Sequence, residues 1–227
     1  MLKDLLNLLF PKVCLACRDV LLANENTVCT VCRHEFPVTR HIESNNEELS
    51  QKFYGRLPLE HASAILYFHK KGIVQELIHQ LKYRNKQEIG TFLGEWYAYD
   101  LQSIHEQQPF DAIIPVPLHK KRKRERGYNQ LTTFGQTLSK SLEIPLKENI
   151  LHRDSYAVTQ SKKSFLDRID ASKTLFDVDF TEADHHKHYL LIDDVMTTGA
   201  TLEKCGKALL KIPGAKLSIV CMAYTHS

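Results

Sequence analysis

The stretch "LLIDDVMTTGAT", residues 190–201, places two adjacent carboxylates between a run of apolar side chains and a loop rich in hydroxyl groups. The apolar run predicts a buried strand, and the periodic apolar residues after the loop predict a helix. In an open parallel sheet, ligands bind beyond the carboxyl ends of the strands. We therefore expect Asp193 and Asp194 to face a bound ligand.

The loop after the two acids offers the donors that a phosphate group requires. Backbone N–H groups at the start of a helix have no helical partner, the helix dipole is positive there, and the threonine hydroxyls add donors. The neighbouring carboxylates cannot bind a phosphate, but they can accept hydrogen bonds from hydroxyls such as those of a ribose, or hold a Mg²⁺ that these hydroxyls bridge. A sugar phosphate satisfies both halves of the pattern. The residues of this predicted site are Asp193, Asp194, Thr197, Thr198, Gly199, Ala200 and Thr201.

Two other interpretations of this stretch stay open. One is an acidic pair at a strand end with an incidental helix cap from Thr197 or Thr198. The other is an acidic metal pocket of the kind found in receiver domains. Neither requires hydroxyl groups and a glycine packed so closely behind the acids, so we prefer the sugar-phosphate site.

Four of the six cysteines form two CxxC pairs, which are separated by eleven residues. Each CxxC turn presents two thiolates to one tetrahedral metal ion. Four Cys ligands predict a structural Zn²⁺ site, because no coordination position stays open for chemistry. Redox dithiols or two disulfides are the alternatives. The predicted ligands are Cys14, Cys17, Cys29 and Cys32.

Basic residues are concentrated in one short segment of the chain. The formal net charge is +3, yet residues 120–126 alone contain six Lys or Arg and one Glu. The segment follows a predicted strand at 110–118, and in a doubly wound sheet this position brings it near the acids, where a pyrophosphate would need cations. A bare charge run is more often a solvated face, and that alternative stays open. The residues assigned to this basic loop are Arg122, Arg124, Arg126, Gly127, Asn129 and Gln130.

The elements that must position these residues alternate between strand and helix. Strand-like runs near 63–69, 110–118 and 215–224, together with the strand before the two acids, are separated by segments with helical periodicity. This order predicts an α/β fold with a doubly wound, mostly parallel sheet and a small N-terminal zinc-binding module. We expect a Cys₄ module at 1–40, a polar linker at 41–60 and the main domain at 61–227.

Composition narrows the class of protein. With 227 residues, 43% hydrophobic and 25% charged, the chain has the make-up of an ordinary globular domain with a small appendage. No stretch approaches the roughly 18 uninterrupted apolar residues of a membrane span. The first residues, "MLKDLLNLLFPKVC", lack the cleavage pattern of a secretory signal. Together with the paired CxxC motifs, these features predict a cytoplasmic protein.

The stretch "LLIDDVMTTGAT" resembles the phosphoribosyl pyrophosphate (PRPP) binding motif of type I phosphoribosyltransferases, a hydrophobic strand with two acids and a TTGxT loop. The resemblance implies that Asp193 and Asp194 contact the 2′ and 3′ hydroxyls of the ribose and that residues 197–201 hold the 5′ phosphate. With the Cys₄ module, the basic segment and "HQLKYRN" at 79–85, nearly the whole chain is similar to the ComF family of competence-associated, phosphoribosyltransferase-like proteins. That similarity implies PRPP binding and a link to the uptake of single-stranded DNA during natural transformation.

Residues 152–176 are polar, long and only weakly periodic. Loops of this length inside compact domains are commonly functional lids, although a mobile surface loop is the alternative. The segment resembles the one that closes over PRPP in related transferases, and the resemblance implies that Gln160 and Arg168 are the matching positions.

Two functions of different classes follow from these patterns. The first is a Mg²⁺-dependent phosphoribosyltransferase, in which pyrophosphate is displaced from ribose C1 and the metal and cations stabilise the leaving group. No residue in the sequence identifies itself as the base for an acceptor. The second is a non-catalytic accessory of DNA uptake, whose zinc module and basic loop contact single-stranded DNA or a competence helicase. A purely structural zinc module leaves residues 193–201 unexplained.

Overall fold

The computed structural model describes residues 10–153 and 176–226, with only the backbone of Lys120, Lys121 and Lys123. The two predicted lid positions, Gln160 and Arg168, lie outside the described residues.

Six strands form two sheets in the part of the chain that the structure describes. They are β1 (His61–Tyr67), β2 (Ala112–Pro115), β3 (Leu151–Arg153), β4 (Phe176–Val178), β5 (His188–Met196) and β6 (Lys216–Tyr224). The main sheet has the order β1, β6, β5, β2, and each of its pairings is parallel. Strands β3 and β4 form a separate antiparallel pair. Parallel strands that are buried on both faces carry continuous apolar runs, as β5 and β6 do.

Helices separate the strands of the main sheet. They are α1 (Thr30–Glu35), α2 (Glu48–Gln51), α3 (Ile73–Tyr83), α4 (Glu88–Gln107), α5 (Lys120–Arg126), α6 (Thr132–Leu142) and α7 (Ala200–Leu209), with a 3₁₀ turn at Glu182–Asp184. None of the helices in the described ranges combines the length and apolar content that crossing a membrane requires.

Helices cover both faces of the main sheet. A Cβ added to Gly135 of α6 would lie 3.1 Å from Ile192 Cδ1, whereas one added to Gly206 of α7 would lie 2.7 Å from Leu217 Cδ2. Leu217 is the register partner of Tyr189 in β5, three residues before Ile192, so the two contacts are on opposite faces. The predicted doubly wound α/β fold is therefore confirmed.

The outer edge of β1 is covered by the chain that leaves the zinc module. Val38 forms an antiparallel bridge with Leu66, and the Thr39 N–H donates to the Ile65 carbonyl at 3.0 Å. One residue pair further on, the Ala64 N–H donates to Nδ1 of His41 at 3.2 Å. These contacts satisfy backbone groups that an edge strand would otherwise leave open.

Residues 41–60 are not the exposed linker that their polar composition predicts. Leu49, Phe53 and Leu57 are buried, and their spacing of four residues places them on the same side of the chain. Both methyl carbons of the Leu57 side chain lie close to Gly206 of α7. A Cβ atom added to this glycine would be 2.6 and 3.0 Å from them. Three well-spaced apolar residues are enough to anchor a segment that is otherwise polar.

The basic segment is a helix where a loop is predicted. Residues 120–126 form α5, and Gly127, with φ of 77°, follows its last residue. Lys, Arg and Glu are good helix formers, and no Gly or Pro interrupts the run. A glycine in the left-handed region is the usual residue just after a helix end. The prediction of a loop was therefore wrong for 120–126 and applies only to the residues that follow.

Candidate functional site

The two acids lie at the carboxyl end of β5 and point to opposite faces of the sheet. Successive side chains of a strand alternate between its faces. Asp193 is the register partner of Cys221 and shares the α7 face, whereas Asp194 shares the face of Ile192 and α6. The backbone N–H of Asp194 donates to Oδ1 of Asp193 at 2.8 Å. The acids are thus neighbours that meet different surroundings.

Asp194 is buried and paired. Lys82 Nζ in the last turn of α3 donates to Oδ1 of Asp194 at 2.7 Å, and Gln130 Nε2 donates to Oδ2 at 2.5 Å. Gln130 is held in turn by Arg126, whose Nη1 donates to its Oε1 at 2.8 Å. The guanidinium of Arg126 lies 5.0 Å from the ring centre of Tyr83. A connected polar network therefore surrounds the second acid.

Asp193 is partly buried, and within residues 10–153 and 176–226 no lysine or arginine forms an ion pair with it. Burial and the neighbouring Asp194 carboxylate raise the pKa of Asp193 to about 8. The thiols of Cys205 and Cys221 lie close enough that the Asp193 charge, after burial, contributes to raising their pKa values. A carboxylate whose charged form is disfavoured at a strand end is typical of a functional site, because a ligand hydroxyl or a cation stabilises that charge.

The loop after the acids is open to solvent and begins α7. Thr197, Thr198, Ala200 and Thr201 are exposed, and the Ala200 N–H donates to the Thr198 hydroxyl at 3.4 Å. Gly199 has φ of 75° and is buried against Phe53, which a Cβ would approach to 3.0 Å. Only glycine fits there without strain. Residues 41–60, which contain Phe53, therefore pack against this loop.

The structure separates the residues of the predicted basic loop. Gln130 donates to Asp194 and is held by Arg126, and Asn129 Nδ2 donates to the Val116 carbonyl at 3.5 Å. Gly127, Arg122 and Arg124 are exposed. Arg126 and the residues after α5 are thus built into the site, while Arg122 and Arg124 face solvent.

Arg122 lies near a second arginine that the sequence did not single out. Burial, followed by the charge of Arg122, lowers the pKa of Arg153. Arg153 Nε is buried without a hydrogen-bond partner, and its guanidinium lies 5.3 Å from the ring centre of Phe176. Both Arg153 and Asp193 act on the pKa of Cys205, which places this arginine on the Asp193 side of the sheet. An anion would relieve the repulsion between the two guanidinium groups.

Sequence reasoning also missed Lys82. Lys82 lies within "HQLKYRN", but nothing in the spacing of that stretch selects this lysine over Arg84 or Lys86. Its position on α3 relative to Asp194, which is 112 residues away in the chain, is a property of the tertiary structure alone.

The four cysteine sulfurs of the N-terminal module fit one metal ion. They lie within 4.8 Å of one another, and Sγ of Cys17 and Cys29 are 3.7 Å apart, too far for a disulfide. Four sulfurs at about 2.3 Å from a tetrahedral Zn²⁺ would be separated by roughly 3.8 Å. Sγ of Cys14 accepts the N–H groups of Ala16 and Cys29 at 3.4 and 3.3 Å, as expected of thiolate ligands. The donor set supports the predicted structural zinc site.

Comparisons with known proteins agree with this organisation. Residues 5–42 match the Double zinc ribbon domain family. The chain is 31% identical to Competence protein F of Haemophilus influenzae over 208 residues, which cover 88% of this chain and 91% of that protein. It is 27% identical to Competence protein ComFC of Bacillus subtilis, over 88% of this chain and 78% of that one. Among solved structures, an adenine phosphoribosyltransferase aligns with 62% of this chain and 72% of its own, at 13% identity and a TM-score of 0.43.

Replacing Cys29 by Ser should abolish stoichiometric zinc binding and lower the melting temperature, because three remaining thiolates leave the tetrahedral site incomplete. Metal analysis of protein purified without chelator measures the zinc content. The matched control is Cys205→Ala, which also removes a buried thiol but lies outside the module and should keep the zinc. Equal zinc content in the two variants would contradict the assignment.

Replacing Asp193 by Asn should stabilise the fold more at pH 8 than at pH 5. The pKa of Asp193 is raised from 3.8 to about 8, so between these values the folded chain binds a proton that the unfolded chain has lost. Stability of the wild type therefore falls as pH rises through this window, by an amount on the order of a few kcal/mol, and the variant lacks this loss. Thermal unfolding at several pH values measures the difference.

Asp194→Asn is the matched control for this experiment. It removes a carboxylate that is paired with Lys82 and should destabilise the fold at neutral pH. A stability difference between Asp193→Asn and wild type that does not grow with pH would rule out the raised pKa.

Proposed function

Since the chain belongs to the competence protein F (ComF) family, we propose that it binds PRPP with Mg²⁺ at the end of β5 and transfers its phosphoribosyl group in a process linked to DNA uptake. One observation carries this proposal. Two carboxylates and an open, hydroxyl-rich helix start meet at the carboxyl end of a central parallel strand, where α/β sheets bind ligands.

The loop 197–201 and the two carboxylates bind different parts of the ligand. Residues 197–201 present N–H groups at the start of the ten-residue helix α7 and hold the 5′ phosphate. The carboxylates accept hydrogen bonds from the ribose hydroxyls. An ionised Asp193 gains most from this contact, because its charge has no cation partner of the kind that Lys82 provides for Asp194.

Cations at the same edge of the sheet suit the pyrophosphate group. Burial and then the charge of Arg122 lower the pKa of Arg153, and an anion bound between the two guanidinium groups would stabilise both charges. Arginine binds phosphate oxygens with a planar fork of N–H donors, which favours a bidentate contact. We assign the pyrophosphate to these two residues, with Arg124 at the periphery.

Mg²⁺ fits the acids of the site by donor chemistry, because carboxylate oxygens are the protein ligands it prefers. Asp193 and Asp194 would hold it, and bound there it would neutralise charge on the pyrophosphate leaving group. The chain's own contribution is to orient ribose C1 and to balance the leaving group's charge with Arg122 and Arg153. In the transfer, the bond from C1 to the pyrophosphate oxygen breaks and a bond from C1 to the acceptor forms. A cytoplasmic location stays a prediction based on the cysteine pattern.

A second candidate function is favoured by the surface beside α5. Tyr83 is 63% exposed, Arg126 lies over its ring, and Arg122 and Arg124 are exposed nearby on α5. Exposed aromatic rings combined with cations are what single-stranded DNA binders use to stack bases and contact phosphates. A non-catalytic DNA-handling accessory, which acts alone or with a competence helicase, would use this surface.

PRPP affinity should rank wild type first, Thr198→Val second and the double variant Asp193→Asn with Asp194→Asn last. Thr198→Val removes one hydroxyl donor while the backbone N–H groups remain, so the loss should be about 1–3 kcal/mol. The double variant loses both negative charges, so the ribose hydroxyls keep only weaker, neutral acceptors and Mg²⁺ loses its carboxylate ligands, and it should not bind measurably. Calorimetry with PRPP in Mg²⁺ measures all three, and zinc content and thermal unfolding establish that each variant is folded. Tight binding by a folded double variant would refute the proposed site.

Neutralising Arg122 and Arg124 together with Arg126 by Gln should weaken single-stranded DNA binding and flatten its salt dependence. Each lost phosphate contact reduces the slope of log affinity against log salt by roughly 0.7. Fluorescence anisotropy at several salt concentrations measures the slope. Replacing Lys140, Lys187 and Lys211 by Gln makes the same charge change outside this surface and serves as the control. An unchanged slope in the arginine variant would exclude the DNA role of α5.

A further inference from the structure

Lys82 forms the most buried ion pair with a residue of the candidate site. Its Nζ lies 2.7 Å from Oδ1 of Asp194, and the side chains of Lys82 and Asp194 are only 21% and 8% exposed. Ion pairs screened from water in this way interact more strongly than surface pairs, which contribute about 0–1 kcal/mol.

Both oxygens of Asp194 are occupied in the described structure. Lys82 donates to one, and Gln130, which is 5% exposed, donates to the other. The Tyr128 hydroxyl donates to the Leu81 carbonyl at 2.5 Å, immediately before Lys82, and so joins the end of α3 to the residues that carry Gln130. The carboxylate is therefore held from two elements that are distant in sequence.

Each oxygen of the Asp194 carboxylate has two lone pairs, so a divalent cation or a ribose hydroxyl that binds Oδ1 must share this oxygen with Lys82 or displace it. A cation meets an additional obstacle, because the ammonium group of Lys82 repels it across a partly buried site where charges are weakly screened. Asp193 offers the same cation an adjacent carboxylate, on which the charge of Lys82 acts more weakly than burial and Asp194 do, so that its pKa stays raised. The two acids thus differ in their availability to a metal ion.

We propose that Lys82 is an internal counter-ion of the site, which holds Asp194 until a divalent cation arriving with the sugar phosphate replaces it. In the free protein, this pairing keeps the buried charge of Asp194 neutralised and keeps its affinity for metal alone low. On binding, the metal takes over the carboxylate and the lysine leaves it. Because Asp194 is assigned to ligand binding by the proposed function, this role of Lys82 rests on that function.

The proposal is tested with Mn²⁺ alone, whose free concentration is read by electron paramagnetic resonance on the full-length, zinc-loaded chain. Lys82→Met keeps the length of the side chain but removes its charge, and should raise the affinity for Mn²⁺ at least about tenfold. Lys82→Arg keeps the charge and should stay near wild type. Lys86→Met, which removes a lysine four residues further along the chain, is the matched control and should also stay near wild type.

The double variant Lys82→Met with Asp194→Asn should lose the gain, because the released carboxylate is absent. If Lys82→Met does not fold, Lys82→Gln keeps a donor for Asp194 without the charge and decides the question. Unchanged or weaker Mn²⁺ binding in a folded, uncharged Lys82 variant would overturn the proposal. A wild type that fails to bind PRPP while Lys82→Met gains Mn²⁺ affinity would instead refute the proposed function and retain the counter-ion.

Discussion

Alternation of side chains along a buried strand is the constraint on which the site depends. Two consecutive acids at the end of β5 cannot share one environment, because the strand sends them to opposite faces. The face of Asp194 supplies a lysine and an amide, whereas the face of Asp193 supplies two buried thiols. One acid is therefore held as a paired carboxylate, and the pKa of the other is raised to about 8. The protein stabilises the charged form of Asp194 and disfavours the charged form of Asp193.

The N-terminal module and the segment after it are structural parts of the α/β domain. The chain from the zinc module covers the edge of β1, and Phe36 stacks on Trp96 of α4 with ring centres 5.9 Å apart. Arg18 in the module donates to Glu76 of α3 at 2.6 Å. Phe53 in the segment after the module packs against Gly199, directly before α7. The module and the segment after it therefore both pack against the α/β domain.

The basic helix α5 contributes side chains both to the surroundings of Asp194 and to the solvent-exposed surface. Its last residue, Arg126, is drawn inward by Gln130 and by the ring of Tyr83, while Arg122 and Arg124 remain exposed. Arg122 and Arg126 are four residues apart and lie on similar sides of the helix. The difference in their exposure therefore comes from the partners of Arg126, which are Gln130 and Tyr83.

The sequence by itself determined the features that depend on a few consecutive residues. Two acids after an apolar run, a glycine after two threonines and two CxxC turns each specify geometry within a few residues, and the alternation of strands and helices specifies the α/β fold. Buried side chains in a polar stretch, such as Phe53, are harder to recognise because their partner Gly199 is far away in the chain. Lys82 and Gln130 meet Asp194 only through the packing of α3 and of the segment between α5 and α6 against the sheet. Only the tertiary structure decided which acid is paired with a cation, because electrostatic partners are selected by distance in space rather than by spacing along the chain.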